Sequence, residues 1–372
     1  WQEAVITSRS NVTSKLTGDP QHPLGTITFE FLDKPWMDVG PNPKDLAKDS
    51  IYVTYTKFAE EWRIFWIEDL AFLSNPVTFT TIEMVRSEDG GTTWSAPLAV
   101  SPTMRRTFGG QAEPAEAQPL GQEPQGKRRF VQGAQPVVDP QDGTLYVAWV
   151  DTTDDDAFKG LAEIYVARST DGGRKFETPV RASSFQEPSF RSRTAFFRNW
   201  ASAFPQMAVG PGGEIYVAYV AMPPDKKTDD GDVYVVRSLD RGKTWSLPSR
   251  VNDDDTTRLQ FFPSISVDPK GVLHAMFGDM RDDPQGLRYN IYYSRSTDKG
   301  QTWELNARVS DFPSNPNFAF TQGLFIGDYF SIKATGDDVY MVWADGRLGE
   351  FGSLNQKIGF ARQKLMPEPA IF

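Results

Sequence analysis

Short runs in which apolar and polar residues alternate recur along the chain, each bounded by Gly, Pro, Asp or Asn. A period of two predicts strands, whose side chains point to opposite faces in turn. The clearest runs are Leu145–Val150, Ile164–Arg168, Ile215–Val220, Val233–Arg237, Val272–Phe277 and Val339–Trp343. No apolar run approaches the roughly 18 residues that a membrane-spanning helix needs, so membrane insertion is not expected.

Four segments align without gaps: Ser87-Glu88-Asp89-Gly90-Gly91-Thr92-Thr93-Trp94, Ser169-Thr170-Asp171-Gly172-Gly173-Arg174-Lys175-Phe176, Ser238-Leu239-Asp240-Arg241-Gly242-Lys243-Thr244-Trp245 and Ser296-Thr297-Asp298-Lys299-Gly300-Gln301-Thr302-Trp303. Each follows a strand-like run and leads into another short one. The chemistry is that of a tight hairpin: Asp can accept backbone N–H bonds across the turn, Gly permits a positive φ, and the terminal aromatic packs between sheets. The pattern Ser-x-Asp-x-Gly-x-Thr-Trp resembles the Asp box of the bacterial-neuraminidase repeat, found in sialidases and other β-propellers. That resemblance implies an all-β fold, a β-propeller of four-stranded antiparallel blades, with strands A to D running outward from an axis.

The propeller is expected over residues 30–372, with boxes at 87–94, 169–176, 238–245 and 296–303. Strand A begins near Pro in Gln135–Pro140, Phe204–Val209 and Phe262–Asp268, and strand B follows in Leu145–Val150, Ile215–Val220 and Val272–Phe277. A first unit from Lys34 to Ser87 and a last unit from Gly327 to Arg362, without a box, bring the visible blade units to five. Trp1-Gln2-Glu3-Ala4-Val5 resembles the residues after the boxes. Residues 1–29 therefore read either as a closing outer strand or as the remnant of a preceding blade, and the blade number lies between five and seven. The start at Trp1 reads as processing or trimming.

In a propeller the B–C and D–A connections share the face opposite the boxes. The longest irregular connections, Lys57–Thr78, Ser101–Val131, Asp151–Glu163, Ser183–Ser202, Pro223–Asp232 and Phe312–Phe325, are expected there. Binding residues concentrate on such loops. Arg198, Arg281 and Arg347 lie on that face, and Asp279, Asp345 and Asp151 end strand B in their blades. Asp33, Trp36, Asp328 and Tyr329 stand where strand A enters. Guanidinium groups bind carboxylates bidentately, while aromatics and carboxylates suit a sugar's apolar face and hydroxyls.

Charge and composition narrow the partners. The 39 Lys and Arg against 49 Asp and Glu give a net charge of −10, which disfavours nucleic acid. Cysteine is absent and there are two His, so thiolate and multi-histidine metal sites are not expected. The acidic runs Asp154-Asp155-Asp156 and Asp253-Asp254-Asp255 are the only candidates for Ca²⁺, without an EF-hand pattern, and no other cofactor is called for. Asn11-Val12-Thr13 is a formal glycosylation sequon.

The sialidase resemblance implies a three-arginine clamp for a substrate carboxylate, a Tyr nucleophile and an Asp acid/base. Carried onto this chain, Arg281, Arg347 and Arg198 would form the clamp, Tyr329 beside Asp328 the nucleophile, and Asp279 the acid, with Asp345, Asp151, Asp33 and Trp36 binding substrate. The family's Arg-Ile-Pro segment is missing, since Arg63-Ile64-Phe65 lacks the proline. Two readings follow. One is an exported, extracellular or periplasmic bacterial enzyme acting on acidic glycans, an exo-glycosidase of sialidase type. The other is a non-catalytic propeller that binds glycan or protein in an extracellular assembly.

Overall fold

The computed structural model describes residues 5–107, 130–155, 160–188, 204–224, 229–316, 326–351 and 356–365. Among them there is no α-helix, only strands, turns and short 3₁₀ segments such as Gly349–Phe351. Among the described residues no helix is long and apolar enough to cross a membrane. The chain divides into two compact units, Trp1–Pro179 and Val180–Phe372.

The first unit opens with a sheet of seven strands: β1 (Val12–Thr17), β2 (Leu24–Asn42), β3 (Asp45–Ile67), β4 (Leu70–Leu73), β5 (Val77–Ser87), β6 (Leu98–Ala99) and β7 (Met104–Thr107). Its spine is β1-β2-β3-β5-β6, with β4 against β3 and β7 against β5. The β2–β3 hairpin turns where the Asn42 side chain accepts the Lys44 N–H at 2.9 Å. These two strands overshoot the rest of the sheet. Lys57–Thr78, expected as an irregular connection, is instead the continuation of β3, all of β4 and the start of β5. Arg63-Ile64-Phe65 accordingly lies in a strand. The physical cause is legible in the residues: Phe58, Trp62, Ile64 and Trp66 alternate with Ala59, Glu61, Arg63 and Phe65, the period of a strand. Strand β2 runs without a break through residue 29, and Val5–Ser8 form no strand, while Trp1–Ala4 lie outside the described residues.

Next come β8 (Val131–Val138), β9 (Leu145–Asp151) and β10 (Leu161–Ser169), paired in antiparallel order. Between the two sheets Tyr52, Ile82, Met84, Leu145, Val147 and Trp149 form one core.

The second unit starts with β11 (Val180–Gln186) and continues in two four-stranded antiparallel meanders, β12 (Gln206–Val209), β13 (Ile215–Ala221), β14 (Asp232–Ser238), β15 (Ser249–Arg250) and β16 (Gln260–Val267), β17 (Leu273–Asp279), β18 (Asn290–Ser296), β19 (Ala307–Arg308). A three-stranded sheet closes it: β20 (Ser331–Ala334), β21 (Asp338–Asp345) and β22 (Lys357–Lys364). First strands lie beside first strands, β12 by β16 and β16 by β20. Tyr216, Val235, Leu273 and Phe277 fill one interface between sheets, and Phe261, Phe330, Met341 and Trp343 the next. Four-stranded meanders stacked face to face with their first strands together are propeller blades, as the repeat implied.

The four repeated segments form one turn. In each, the Ser hydroxyl accepts the N–H of the Gly four residues on, at 2.8–2.9 Å, and donates to the Asp carboxylate. Asp89, Asp171, Asp240 and Asp298 in turn accept backbone N–H groups at the far side of the hairpin. Gly242 and Gly300 carry φ of 83° and 75°, a left-handed conformation that a Cβ would strain. Arg86 reaches from β5 to the Gly173 carbonyl, and Arg237 from β14 to those of Asp298 and Lys299. Each of these two turns is thereby tied to the preceding sheet, and the repeated segments serve the scaffold.

Candidate functional site

Because strand side chains alternate, residues two apart on a second strand share a face with their register partners on the third. This makes one face near the end of each sheet directly comparable. On it stand Trp149 and Asp151 of β9 opposite Tyr165 and Glu163 of β10. The same places hold Tyr219 and Ala221 opposite Tyr234 and Asp232, Phe277 and Asp279 opposite Tyr292 and Asn290, and Trp343 and Asp345 opposite Gly359 and Lys357. Among these four sheets, only β9–β10 sets two carboxylates against each other.

Three of the aspartates turn the chain in the same way. One carboxylate oxygen accepts the N–H two residues on: Thr153 at 2.7 Å, Arg281 at 2.7 Å and Arg347 at 2.9 Å. At Asp279 and Asp345 the second oxygen then receives the Nε–H of Arg281 at 2.8 Å and of Arg347 at 2.7 Å. Arg281 is only 12% exposed, and its remaining donors go to Asp253 and Asn306 while the guanidinium lies 4.4 Å above the Tyr292 ring. Burial pushes the Asp279 carboxyl up to about 6, with Arg281 opposing it. Arg347 also reaches Asp311 at 2.7 Å. Both guanidinium forks, expected to meet a ligand carboxylate, are closed by carboxylates of this chain.

The other expected residues are placed as follows. Asp328 is buried at the approach to β20, and its neighbour Tyr329 is 38% exposed, its ring meeting Phe204 edge-on at 6.3 Å. Asp33 on β2 accepts the Gln132 amide at 2.7 Å, and Trp36 on the same strand faces Thr54 of β3. Arg198 lies outside the described residues, as does Asp156. Of the acidic runs, Asp253 accepts from Arg281, and Asp254 from Asn252 and the Thr256 hydroxyl. Among the described residues no three His, Asp or Glu converge as metal ligands.

Around Asp151 the picture differs. Thr153 stands where Arg281 and Arg347 stand in the other sheets, and its hydroxyl turns to the Met104 sulfur at 3.2 Å. A cavity of about 250 Å³ opens here, floored by Trp149, Asp151, Glu163 and Tyr165 and flanked by Met104, Thr153 and Asp154. The Trp149 and Tyr165 rings run nearly parallel, 6.2 Å apart and 20° from coplanar. Tyr165 donates its hydroxyl to Glu163 at 3.2 Å. Trp149 is 1% exposed, and its buried indole N–H meets no acceptor among the described residues. Burial raises the pKa of Asp151; the bonds from Thr153 oppose it, and the neighbouring Glu163 and Asp154 charges add to it. No Lys or Arg is among the described residues that line the cavity.

Sequence reading singled out Asp151 but took Glu163 only as the end of a connection. Glu163 immediately precedes the Ile164–Arg168 run, and the strand pairing is what sets it opposite the acid that ends strand B.

Neither a family model nor a curated protein matches the chain in sequence. Solved structures that resemble it include the Hadza microbial sialidase Hz136, at 14% identity and a TM-score of 0.45 over 94% of this chain and 61% of that one. Others are an α-L-arabinanase of Penicillium chrysogenum complexed with arabinobiose, at 11% identity and 0.44 over 96% and 99%, and NanB sialidase from Streptococcus pneumoniae, at 11% and 0.43 over 84% and 56%. The chain spans about three-fifths of the Hadza enzyme's length. Likeness at this level transfers no residue role to this chain.

Proposed function

We propose that the protein is an exported glycan-active β-propeller whose cavity at Asp151 and Glu163 takes one sugar residue and can hydrolyse its glycosidic bond. The observation that carries this reading is the pair of opposed carboxylates, with an aromatic pair on the same sheet face, inside a cavity of about 250 Å³. Aromatic faces suit the C–H surface of a sugar, and carboxylates accept its hydroxyls. Facing residues of an antiparallel pair hold their Cβ atoms about 5 Å apart. Retaining glycosidases place their two carboxyl groups about 5–5.5 Å apart, a spacing within the reach of Asp and Glu side chains on such a pair.

The roles follow from the electrostatics. Asp151, whose pKa is raised by burial and neighbouring charge, keeps its proton to higher pH and gives it to the glycosidic oxygen as the bond to the anomeric carbon breaks. Glu163, held by the Tyr165 hydroxyl, faces the positive charge that develops on the sugar and forms the bond to the anomeric carbon, which water later cleaves. Release of sugar from a panel of aryl glycosides tests this. Asp151→Asn and Glu163→Gln should each abolish release while circular dichroism stays unchanged. If the wild type binds oligosaccharide and releases nothing, the site is a binding module.

Sialidase chemistry is the second reading, favoured by the half-exposed phenol of Tyr329 beside buried Asp328. It needs arginines able to leave their carboxylate partners. A fluorogenic sialoside assay with Tyr329→Phe and Arg281→Ala separates the two: loss of release in both variants supports it, and no release by the wild type removes it. Export is checked by finding the protein in culture medium or periplasm.

A further inference from the structure

We propose that the protein pairs with a second copy of itself through one face of its first sheet, the apolar face of the part that overshoots, β1–β4. The inference stands on the first unit alone and does not depend on the glycan reading.

Register sorts the side chains of these strands onto two faces. On one stand Val12 and Leu16 of β1, Ile27 and Phe29 of β2, and Trp62 and Ile64 of β3. On the other stand Lys15, Thr28, Glu61 and Arg63. At the tip of that polar face Phe65 and Phe72 cover each other, with ring centroids 5.6 Å apart. A sheet with one apolar and one polar face is half of a two-layer structure. Lower on the sheet the second layer is present, since Tyr52, Ile82 and Met84, on the same face, pack against β8 and β9. From Phe58 outward the face lies open: Val12, Leu16, Phe29, Phe31 and Leu73 are 40–68% exposed. The core of one interface thus continues as an uncovered surface.

Three observations favour a second copy as the missing layer. The first is area. At about 150–250 Å² for a large side chain, these five residues open roughly 500 Å² of apolar surface. A standard interface takes about 800 Å² from each partner, and about 65% of a homodimer interface is apolar, which is roughly the same 500 Å². The second is charge. From Phe58 to the tip, Glu60 is the one charged side chain that β1–β4 place on this face, and the centres of interfaces are depleted of charge in the same way. The third is shape. A two-fold pair needs a surface that complements itself. This face has a slim side, Ser14 and Leu16 of β1 with Gly25 of β2, and a bulky side, Trp62 and Trp66 of β3. A two-fold axis along the strands sets the slim side of each copy on the bulky side of the other, with two sheets packed face to face.

Sedimentation velocity of the whole chain tests the proposal. A dimer is expected at about 10 μM, since interfaces of this size have dissociation constants from micromolar downward. Val12→Lys and Leu73→Lys, on the apolar face, should each raise the dissociation constant about tenfold or more. Thr13→Lys, the next residue of β1 but on the polar face, should change it by about twofold or less. All three positions are exposed in the single chain, so circular dichroism should not change. A wild type that is monomeric at about 10 μM overturns the proposal, whatever the variants do. A dimer that both face variants leave intact is built elsewhere and also overturns it. Equal weakening by Thr13→Lys would mean that β1 pairs edge to edge, and would refute the assignment to this face.

Discussion

Replacing Arg281 with Met distinguishes an arginine of the scaffold from one held for a ligand. Arg281 donates to Asp279, which is fully buried, through both its backbone N–H at 2.7 Å and its Nε at 2.8 Å. Methionine keeps most of the side-chain volume and removes the cation. Breaking a buried pair from one side typically destabilises by about 3–5 kcal/mol, because the remaining charge is uncompensated. The penalty depends on pH, and its sign is fixed by the carboxyl. Asp279 ionises near 3.8 when unfolded and at about 6 when folded, so the fold prefers its protonated form. Its contribution is most favourable below 3.8 and is lost as pH rises through about 6. Over that interval the loss is about 3 kcal/mol at 1.36 kcal/mol per pH unit. Without Arg281 the carboxyl moves higher still and is neutral at pH 5. Urea denaturation of both proteins at pH 7.5 and pH 5.0 should therefore show Arg281→Met less stable at the higher pH, with up to about 2 kcal/mol of that deficit, (7.5 − 6) pH units at 1.36 kcal/mol, gone at the lower. A deficit below about 1 kcal/mol at pH 7.5, as for a surface ion pair, would refute the scaffold role. An equal deficit at both pH values would refute the titration argument.

Two further perturbations test the scaffold of the second unit. Asp298→Ala removes the acceptor for the N–H groups of Gln301 and Thr302 and the hydroxyls of Ser296 and Thr302. It should destabilise by about 1–3 kcal/mol at neutral pH. Those hydrogen bonds lower the Asp298 carboxyl to about 2, so its stabilisation is present above pH 3.8 and is lost as pH falls toward 2. The gap between the two proteins should close in acid, read by urea denaturation at pH 7 and pH 2.5. Gly278→Ala would put a Cβ 2.6 Å from the ring of Phe261, itself enclosed by Phe262 and Tyr289. Overpacking of this kind costs about 1–3 kcal/mol, and Phe261→Leu should recover part of the melting temperature in the double variant.

The fold was legible where local chemistry and periodicity agree. The repeated Ser-x-Asp-x-Gly turns and the strands Leu145–Val150, Ile215–Val220 and Val272–Phe277 stand where alternation placed them, each ending one or two residues later. The overshoot of β3 was misread because Lys57–Thr78 was taken as an irregular connection between the second and third strands of a blade, whereas the strands themselves continue through it. The site was legible in part. Asp279-Met280-Arg281 and Asp345-Gly346-Arg347 did mark the ends of their strands, but a linear pattern does not show that each arginine turns back on its own aspartate. Glu163 was hidden for the opposite reason: its importance lies in what faces it across the sheet, and register is a property of pairing rather than of sequence neighbours.

The meander wiring of β12–β15 and β16–β19, in which every strand hydrogen-bonds to its neighbour along the chain, also governs how the protein reaches its native state. Short closures lose little chain entropy, so each sheet can zip from its own hairpins without waiting for distant segments. Emerging from the ribosome amino end first, the polypeptide can complete one layer and offer it as a template for the next. Hydrogen-exchange labelling during refolding should then protect β13 and β14 together as a kinetic unit, ahead of the contacts that join one layer to another.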